Sequence, residues 1–307
     1  MRVAVLIPCY NEEAAIAKTV EDFHKALPGA IVYVYDNNSK DRTIELAKAA
    51  GAVVRSENQQ GKGHVVRRMF ADIEADIYVM ADGDATYHAP SAPAMIQKLI
   101  DENLDMVVGT RLHTDEAGAF RPGHQLGNHL ITGTVAWLFG DRFGDMLSGY
   151  RVFSRRFAKS FPALSHGFET ETELAVHALS LNMPVAELQT PYYARPPGSE
   201  SKLSTYKDGW RILKMIIRLT KAERPLFFFG TLSGLLAALA LLLALPVLLT
   251  FWETGLVPRF PTAILAASIM ILAFLSLASG FILDNVTRGR REIKRMIYLQ
   301  HPAPGPG

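Results

Sequence analysis

The chain has 307 residues, with 32 Lys and Arg against 30 Asp and Glu and a formal charge of +2. So even a balance excludes a nucleic-acid binder held by bulk charge, and the length suits one large domain or two smaller ones. The single cysteine, Cys9, excludes an intramolecular disulfide and, at the end of an apolar run, reads as a small core residue.

Short runs rich in Val and Ile predict strands at Val3–Ile7, Ile31–Tyr35, Ala52–Val54, Ile77–Ala81 and Met106–Val108. They show little polar alternation, as strands covered on both faces do. Helical patterns lie between them at Glu12–Leu27, Arg42–Ala50, His64–Ala75 and Ser91–Asn103. Strands alternating with helices predict an α/β fold, a mostly parallel sheet with helices on both faces. The first apolar run is too short for a signal peptide. The turn after it, Pro8-Cys9-Tyr10-Asn11-Glu12-Glu13, holds no glycine, which rejects a dinucleotide-binding fingerprint.

Ligands on such sheets bind beyond the carboxyl ends of the strands. Asp36, Asp82, Asp84 and Arg111 fall there. In Asp82-Gly83-Asp84, two carboxylates one residue apart can share a divalent metal, Mg²⁺ or Mn²⁺, with a diphosphate. Asp36 can accept a hydrogen bond from a ribose hydroxyl or a base N–H, or simply form a turn. Gly61-Lys62-Gly63 lets backbone approach a ligand closely and offers Lys62 to phosphate or base. Beyond Arg111 come Arg121, Asn128, His129 and Thr132, then Asp145-Met-Leu-Ser148-Gly-Tyr-Arg151. Glu169, Glu171 and Glu173 stand at alternate positions; in a helix, Glu169 and Glu173 share a face and Glu171 does not. Arg195 and Lys202 bracket a Gly/Ser loop that could close over an anion or serve only as a polar linker.

The composition changes near Leu226. Leu226–Trp252 holds no charge across 27 positions and Pro261–Leu283 none across 23. Each can cross roughly 30 Å of hydrocarbon as a helix, and the short link Glu253–Phe260 makes the pair a hairpin. Lys207, Arg211, Lys214, Arg218, Lys221 and Arg224 precede it; Arg288, Arg290, Arg291, Lys294 and Arg295 follow. The positive-inside bias then predicts both flanks, and the N-terminal domain, on the cytoplasmic side. Within 206–224 the cations recur every three or four residues, predicting an amphipathic helix in the membrane interface. The Pro/Gly-rich His301–Gly307 predicts a disordered end.

Taken in order, Pro8-Cys-Tyr-Asn-Glu-Glu, Asp36-Asn-Asn-Ser-Lys-Asp, Gly61-Lys-Gly, Asp82-Gly-Asp, Gly109-Thr-Arg, Asp145…Ser148-Gly-Tyr-Arg and Arg195…Gly198…Ser201-Lys-Leu resemble the family 2 glycosyltransferases of GT-A fold. Within these the chain is similar to the polyprenyl-phosphate hexose synthases, relatives of dolichyl-phosphate mannose synthase. The likeness covers residues 1–205 as a catalytic domain. The remainder divides into the interfacial helix 206–224, membrane helices 226–252 and 261–283, and a cytoplasmic tail 284–307.

The resemblance implies inverting transfer of a hexose from a UDP- or GDP-sugar to a polyprenyl phosphate, at a membrane and with Mg²⁺ or Mn²⁺. By position, Asp36 would contact the nucleoside, with Pro8, Tyr10, Glu13 and Lys62 around it. Asp82, Gly83 and Asp84 would hold the metal and donor. Arg195, with Lys202, would steady the diphosphate. Arg111 would bind the acceptor phosphate, with Arg121, Asn128, His129 and Thr132 completing that pocket. Glu169 and Glu171 would position sugar or acceptor.

Two positions depart from the family pattern. Asn37 stands where a second acid is usual, with little effect expected. Asn128-His129 stand where relatives often place arginine, which would make acceptor binding weaker or pH-dependent. Two other readings compete. One is a glycosyltransferase extending a polysaccharide or decorating a lipid or glycan hydroxyl, of which the processive glycan synthases would carry Gln-x-x-Arg-Trp and more membrane spans, both lacking here. A silent sugar-nucleotide scaffold would have no need of Asp82, Asp84, Arg111 and Arg195 together. Self-association through the apolar hairpin is compatible with the sequence.

Overall fold

A computed structural model of the chain describes residues 1–113, 133, 144–163, 170–196, 214 and 217–305. Chain contacts divide it into two units, Met1–Ile212 with Ile293–Gly307, and Leu213–Glu292.

In the first unit, seven strands form one sheet in the order β3-β2-β1-β4-β6-β5-β7. They are β1 Val3–Cys9, β2 Ile31–Asp36, β3 Val53–Ser56, β4 Ile77–Met80, β5 Met106–His113, β6 Arg151–Ser154 and β7 Val185–Tyr192. All neighbours pair in parallel except β6, which runs antiparallel between β4 and β5. The predicted α/β class with a mostly parallel sheet therefore holds, and the five predicted strands all exist. β6 and β7 were not foreseen.

Helices α1 Ile16–Ala26, α2 Thr43–Ala49, α3 Lys62–Asp72 and α4 Ala92–Asp101 fill the predicted connections. Two more, α5 Arg155–Ser160 and α6 Thr170–Ser180, follow β6. Ile16, Val20 and Phe23 of α1 and Met95 and Leu99 of α4 pack on Val5, Ile7, Val79, Val107 and Val152 of the sheet. β4 is buried at every position because both its faces are covered, which is why its sequence lacks alternation.

On α6, His177 is almost wholly buried against Phe157 and Phe161, with ring centroids 5.2 and 5.5 Å away. Its Nε2 lies 3.0 Å from Ser160 Oγ, and its Nδ1 has no hydrogen-bond partner among the described residues. Burial pushes its pKa down to about 3. The folded chain therefore refuses a proton that the unfolded chain accepts below the ordinary histidine value. Stability from this group is complete above that value and falls as pH drops toward the folded pKa. We expect about 2 kcal/mol to be lost between pH 7 and pH 5. Unfolding midpoints measured against pH check this, with His177→Gln flattening the profile.

The second unit holds α7 Pro225–Thr254 and the body of α8 Phe260–Leu299. Both are candidate membrane spans by length and composition. Pro225 starts α7 without sacrificing a helical N–H, and Gly255, at φ +68°, ends it by donating to Phe251 O. Buried positions recur every seventh residue: Ser233, Ala240 and Val247 on α7, and Ala266, Ala273, Gly280 and Thr287 on α8. A Cβ at Gly280 would stand 3.1 Å from Phe229 Cβ, so a small residue permits the helices' close approach. Leu235, Leu242 and Phe274 point outward at 67–71% exposure, a surface suited to hydrocarbon.

The second apolar stretch does not stop near Leu283 but continues as one helix to Leu299. Its last turns belong to the first unit, where Tyr298 donates to Asp105 Oδ2 at 2.8 Å and Arg295 to Leu181 O at 3.4 Å. The expected disordered end is corrected as far as Gly305, because Pro304 is buried. Of the expected interfacial helix, only 214 and 217–224 are among the described residues.

Candidate active site at the carboxyl edge of the sheet

The loops after β1 and β2 are stitched together. Asn11 Oδ1 accepts the Lys40 N–H at 2.8 Å, Ser39 Oγ accepts that of Asn11 at 2.8 Å, and Thr43 Oγ1 that of Glu12 at 2.8 Å. Glu13 joins this seam: its carboxylate accepts the Arg42 N–H at 3.1 Å. Pro8 is buried in β1, and Tyr10 is half-buried just beyond it. Asp36, 2% exposed, accepts the Ser39 N–H on Oδ2 at 3.0 Å. Its Oδ1 is buried with no hydrogen-bond partner among the described residues.

Asn37 has a task that the sequence reading did not give it. Its amide donates to Glu57 O at 2.9 Å and Gln59 O at 2.7 Å, and its Oδ1 accepts the Gly61 N–H at 2.7 Å. It thereby sets the loop that opens α3. Aspartate has no amide protons to donate, so Asn37→Asp would strand two carbonyls against a carboxylate. We expect a loss of about 2 kcal/mol or more, read as a lower unfolding midpoint.

Lys62, the first residue of α3, places Nζ 2.5 Å from Asp82 Oδ1 and 2.5 Å from Glu171 Oε1. Burial alone would lower its pKa, but the charges of Asp82 and Glu171 outweigh this and raise it, so it is an ammonium. Glu171 is 5% exposed, and its Oε2 is buried without a partner among the described residues. Asp84 Oδ1 accepts from Thr86 Oγ1 at 2.7 Å, and Oδ2 lies 2.8 Å from Arg195 Nη2. Burial first, and the Asp82 charge second, push the Asp84 carboxyl above the ordinary aspartate range. Paired hard oxygens of this kind are the donor chemistry that Mg²⁺ and Mn²⁺ take. Among the described residues no cluster of three or more acidic, His or Cys side chains stands ready for a metal.

Two glycines permit this crowding. A Cβ on Gly83 would lie 2.4 Å from Cys9 Sγ, and one on Gly149 would lie 2.7 Å from Asp82 Oδ2. Gly83 thus lets the acidic turn settle on the core. Cys9 is buried, and burial followed by the charges of Glu12, Asp36, Asp82 and Asp84 raises its thiol, so it remains protonated.

Arg111, on β5, is held by Asp145 through two bonds of 2.7 Å, from Nε and Nη2. Burial is outweighed by this pairing, and the Arg111 pKa is raised. Glu187 of β7 accepts the Gly144 and Asp145 N–H groups at 2.8 and 3.2 Å, orienting that carboxylate. Arg151 is fully buried and donates to Ser148 O and Met146 O, holding the same turn.

The structure thus brings Lys62, Asp82 and Glu171 together, Asp84 with Arg195, and Arg111 with Asp145. Glu13 faces Arg42 instead. Glu169, Lys202, Arg121, Asn128, His129 and Thr132 lie outside the described residues. Asp145 and Glu187 were given no role from the sequence, although a cation on a buried strand such as Arg111 demands an anion nearby.

The first unit has the GT-A fold. Glucosyl-3-phosphoglycerate synthase of Mycobacterium tuberculosis, in complex with Mn²⁺, UDP and phosphoglyceric acid, superposes with a TM-score of 0.60 at 22% identity, covering 72% of this chain and 78% of that one. Residues 4–160 match the glycosyl transferase family 2 model, and the chain belongs to that family. Glycosyltransferase AglJ of Haloferax volcanii is 35% identical over 300 residues, covering 97% of this chain and 98% of that protein. A dolichyl-phosphate hexose transferase of the same organism is 29% identical over 228 residues, covering 72% and 95%. The chain is therefore a glycosyltransferase, related to dolichyl-phosphate hexose transferases.

Proposed function

We propose that the protein transfers a hexose from a nucleotide sugar to a polyprenyl phosphate, with inversion at the anomeric carbon, at the cytoplasmic membrane face. The observation that carries this reading is the pair of ion contacts at the sheet edge, Lys62 with Asp82 and Arg195 with Asp84. Carboxylates for a metal and cations for a diphosphate meet there. Asp36, whose Oδ1 has no partner among the described residues, accepts a hydrogen bond from the nucleoside. Asp82 and Asp84 would hold Mg²⁺ or Mn²⁺, which when bound neutralises charge on the leaving diphosphate. Arg195 turns from Asp84 to the phosphates and steadies them.

Arg111, oriented by Asp145, receives the acceptor phosphate. That phosphate is ionised at neutral pH, so no general base is required, and catalysis rests on placement and charge. A hydroxyl acceptor would require a base, and the Glu171 carboxylate is tied to a buried ammonium. The apolar helices and the relation to a dolichyl-phosphate hexose transferase support a lipid-borne acceptor.

The test supplies detergent-purified protein with undecaprenyl phosphate, Mg²⁺ or Mn²⁺, and each radiolabelled nucleotide sugar in turn. Label in the lipid phase from one donor, abolished by EDTA, is the expected result. Transfer to a lipid or glycan hydroxyl, with none to the phosphate, would overturn it.

A further inference from the structure

We infer, taking the proposed donor site as given, that Lys62 is a built-in counter-ion that keeps Asp82 closed to a divalent cation until a nucleoside diphosphate arrives. The Lys62 side chain is only 11% exposed and lies between two carboxylates, each at 2.5 Å. These come from the turn two residues beyond β4 and from the second residue of α6, so one ammonium at the start of α3 ties three parts of the fold together. Asp84 is occupied in the same way, Oδ1 by Thr86 and Oδ2 by Arg195. Each candidate metal carboxylate thus already has a cation of the chain's own beside it, Lys62 at Asp82 and Arg195 at Asp84.

A divalent cation entering alone would have to displace Lys62 from Asp82 Oδ1. The ammonium, only 11% exposed, would then remain tethered to the buried Glu171, a few ångströms from a like charge. Such repulsion is strong where solvent is excluded. A diphosphate changes the exchange. Its oxygens offer Lys62 and Arg195 a new anion and add hard ligands, which two carboxylates alone do not supply in sufficient number for an octahedral shell. Cation and nucleotide therefore assist each other, and by linkage the assistance is reciprocal. Glu171 keeps Lys62 charged and in place while Asp82 changes partner.

Chelation by the nucleotide would by itself couple the two ligands, so coupling in the native chain is not the diagnostic. The diagnostic is the affinity for the metal alone once the lysine is gone. Detergent-purified full-length protein is titrated with Mn²⁺, free ion being counted by electron paramagnetic resonance, with and without UDP, GDP, ADP or CDP. Lys62→Met is expected to bind Mn²⁺ without nucleotide at least tenfold more tightly than the native chain. Asp82→Asn in the same background should remove that gain.

Lys62→Met leaves Glu171 buried and unpaired, so the double variant Lys62→Met/Glu171→Gln carries the test if the single one does not fold. It keeps the local net charge unchanged and should show the same gain. Folded variants that bind Mn²⁺ alone no more tightly than the native chain would overturn the counter-ion role. The donor site itself would still stand if the native chain bound Mn²⁺ together with one of the nucleotides. A native chain that binds Mn²⁺ with none of them would overturn both.

Discussion

Asp84→Asn is expected to lower hexose transfer by about 100- to 1,000-fold while leaving the fold intact. The substitution keeps the Oδ1 acceptor that Thr86 uses at 2.7 Å and keeps the side chain's shape. It removes the negative charge at Oδ2, the atom 2.8 Å from Arg195. Stability should not fall with activity. Asp84 is 4% exposed and shares its turn with Asp82, so the fold holds a charge that burial and a like neighbour both disfavour. Asparagine relieves both, and Arg195, about a third exposed, can turn toward water. The expected outcome is a transfer assay near background with an unfolding midpoint equal to or above the native one. A midpoint that drops in step with activity would make Asp84 a structural residue.

The sheet was legible where its strands are buried on both faces. Ile77–Ala81 and Val3–Ile7 read as unbroken apolar runs because helices cover their strands above and below. The two missed strands lack that signature. β6 begins with Arg151, a cation buried only because carbonyls of its own turn receive it. β7 is an edge strand carrying Glu187, Gln189 and Pro191, residues that discourage a strand reading. β5 was cut short at Val108 for the same reason: its polar end, Gly109–His113, is held by pairing with β7.

The site was legible wherever an acid closes an apolar run, as Asp36 and Asp82 do, with Asp84 two residues further on. Its partners were not. Lys62 and Glu171 are 109 positions apart, and Arg111 and Asp145 are 34 apart. No local pattern joins such residues; only the packing of α6 and β7 against the sheet edge does. The structural task of Asn37 is hidden for a related reason. Its identity is dictated by the carbonyls of Glu57 and Gln59, which two-donor chemistry satisfies and a carboxylate does not.

Asp105→Ala is expected to destabilise the first unit by about 3 to 5 kcal/mol, the cost of breaking a buried charge pair from one side. Asp105 is fully buried and serves four donors. Ser154 Oγ donates at 2.7 Å, Arg156 through Nε and through Nη2 at 3.1 Å, and Tyr298 OH at 2.8 Å. The Arg156 guanidinium also lies over the Tyr298 ring, 4.8 Å from its centroid, so the cation and the phenol share one anion. Alanine would leave Arg156, 15% exposed, without a counter-charge and would release the end of α8, whose Tyr298 lies 193 positions away in the chain. Tyr298→Phe separates the two effects. It removes only the phenol hydrogen bond and keeps the ring under Arg156, so a smaller loss of about 1.5 to 3 kcal/mol is expected. Unfolding midpoints order the variants, and limited proteolysis after residue 292 reports release of the last turns. Protease resistance unchanged in Asp105→Ala would mean that Pro304 and Arg295, not Tyr298, hold the chain end to the body.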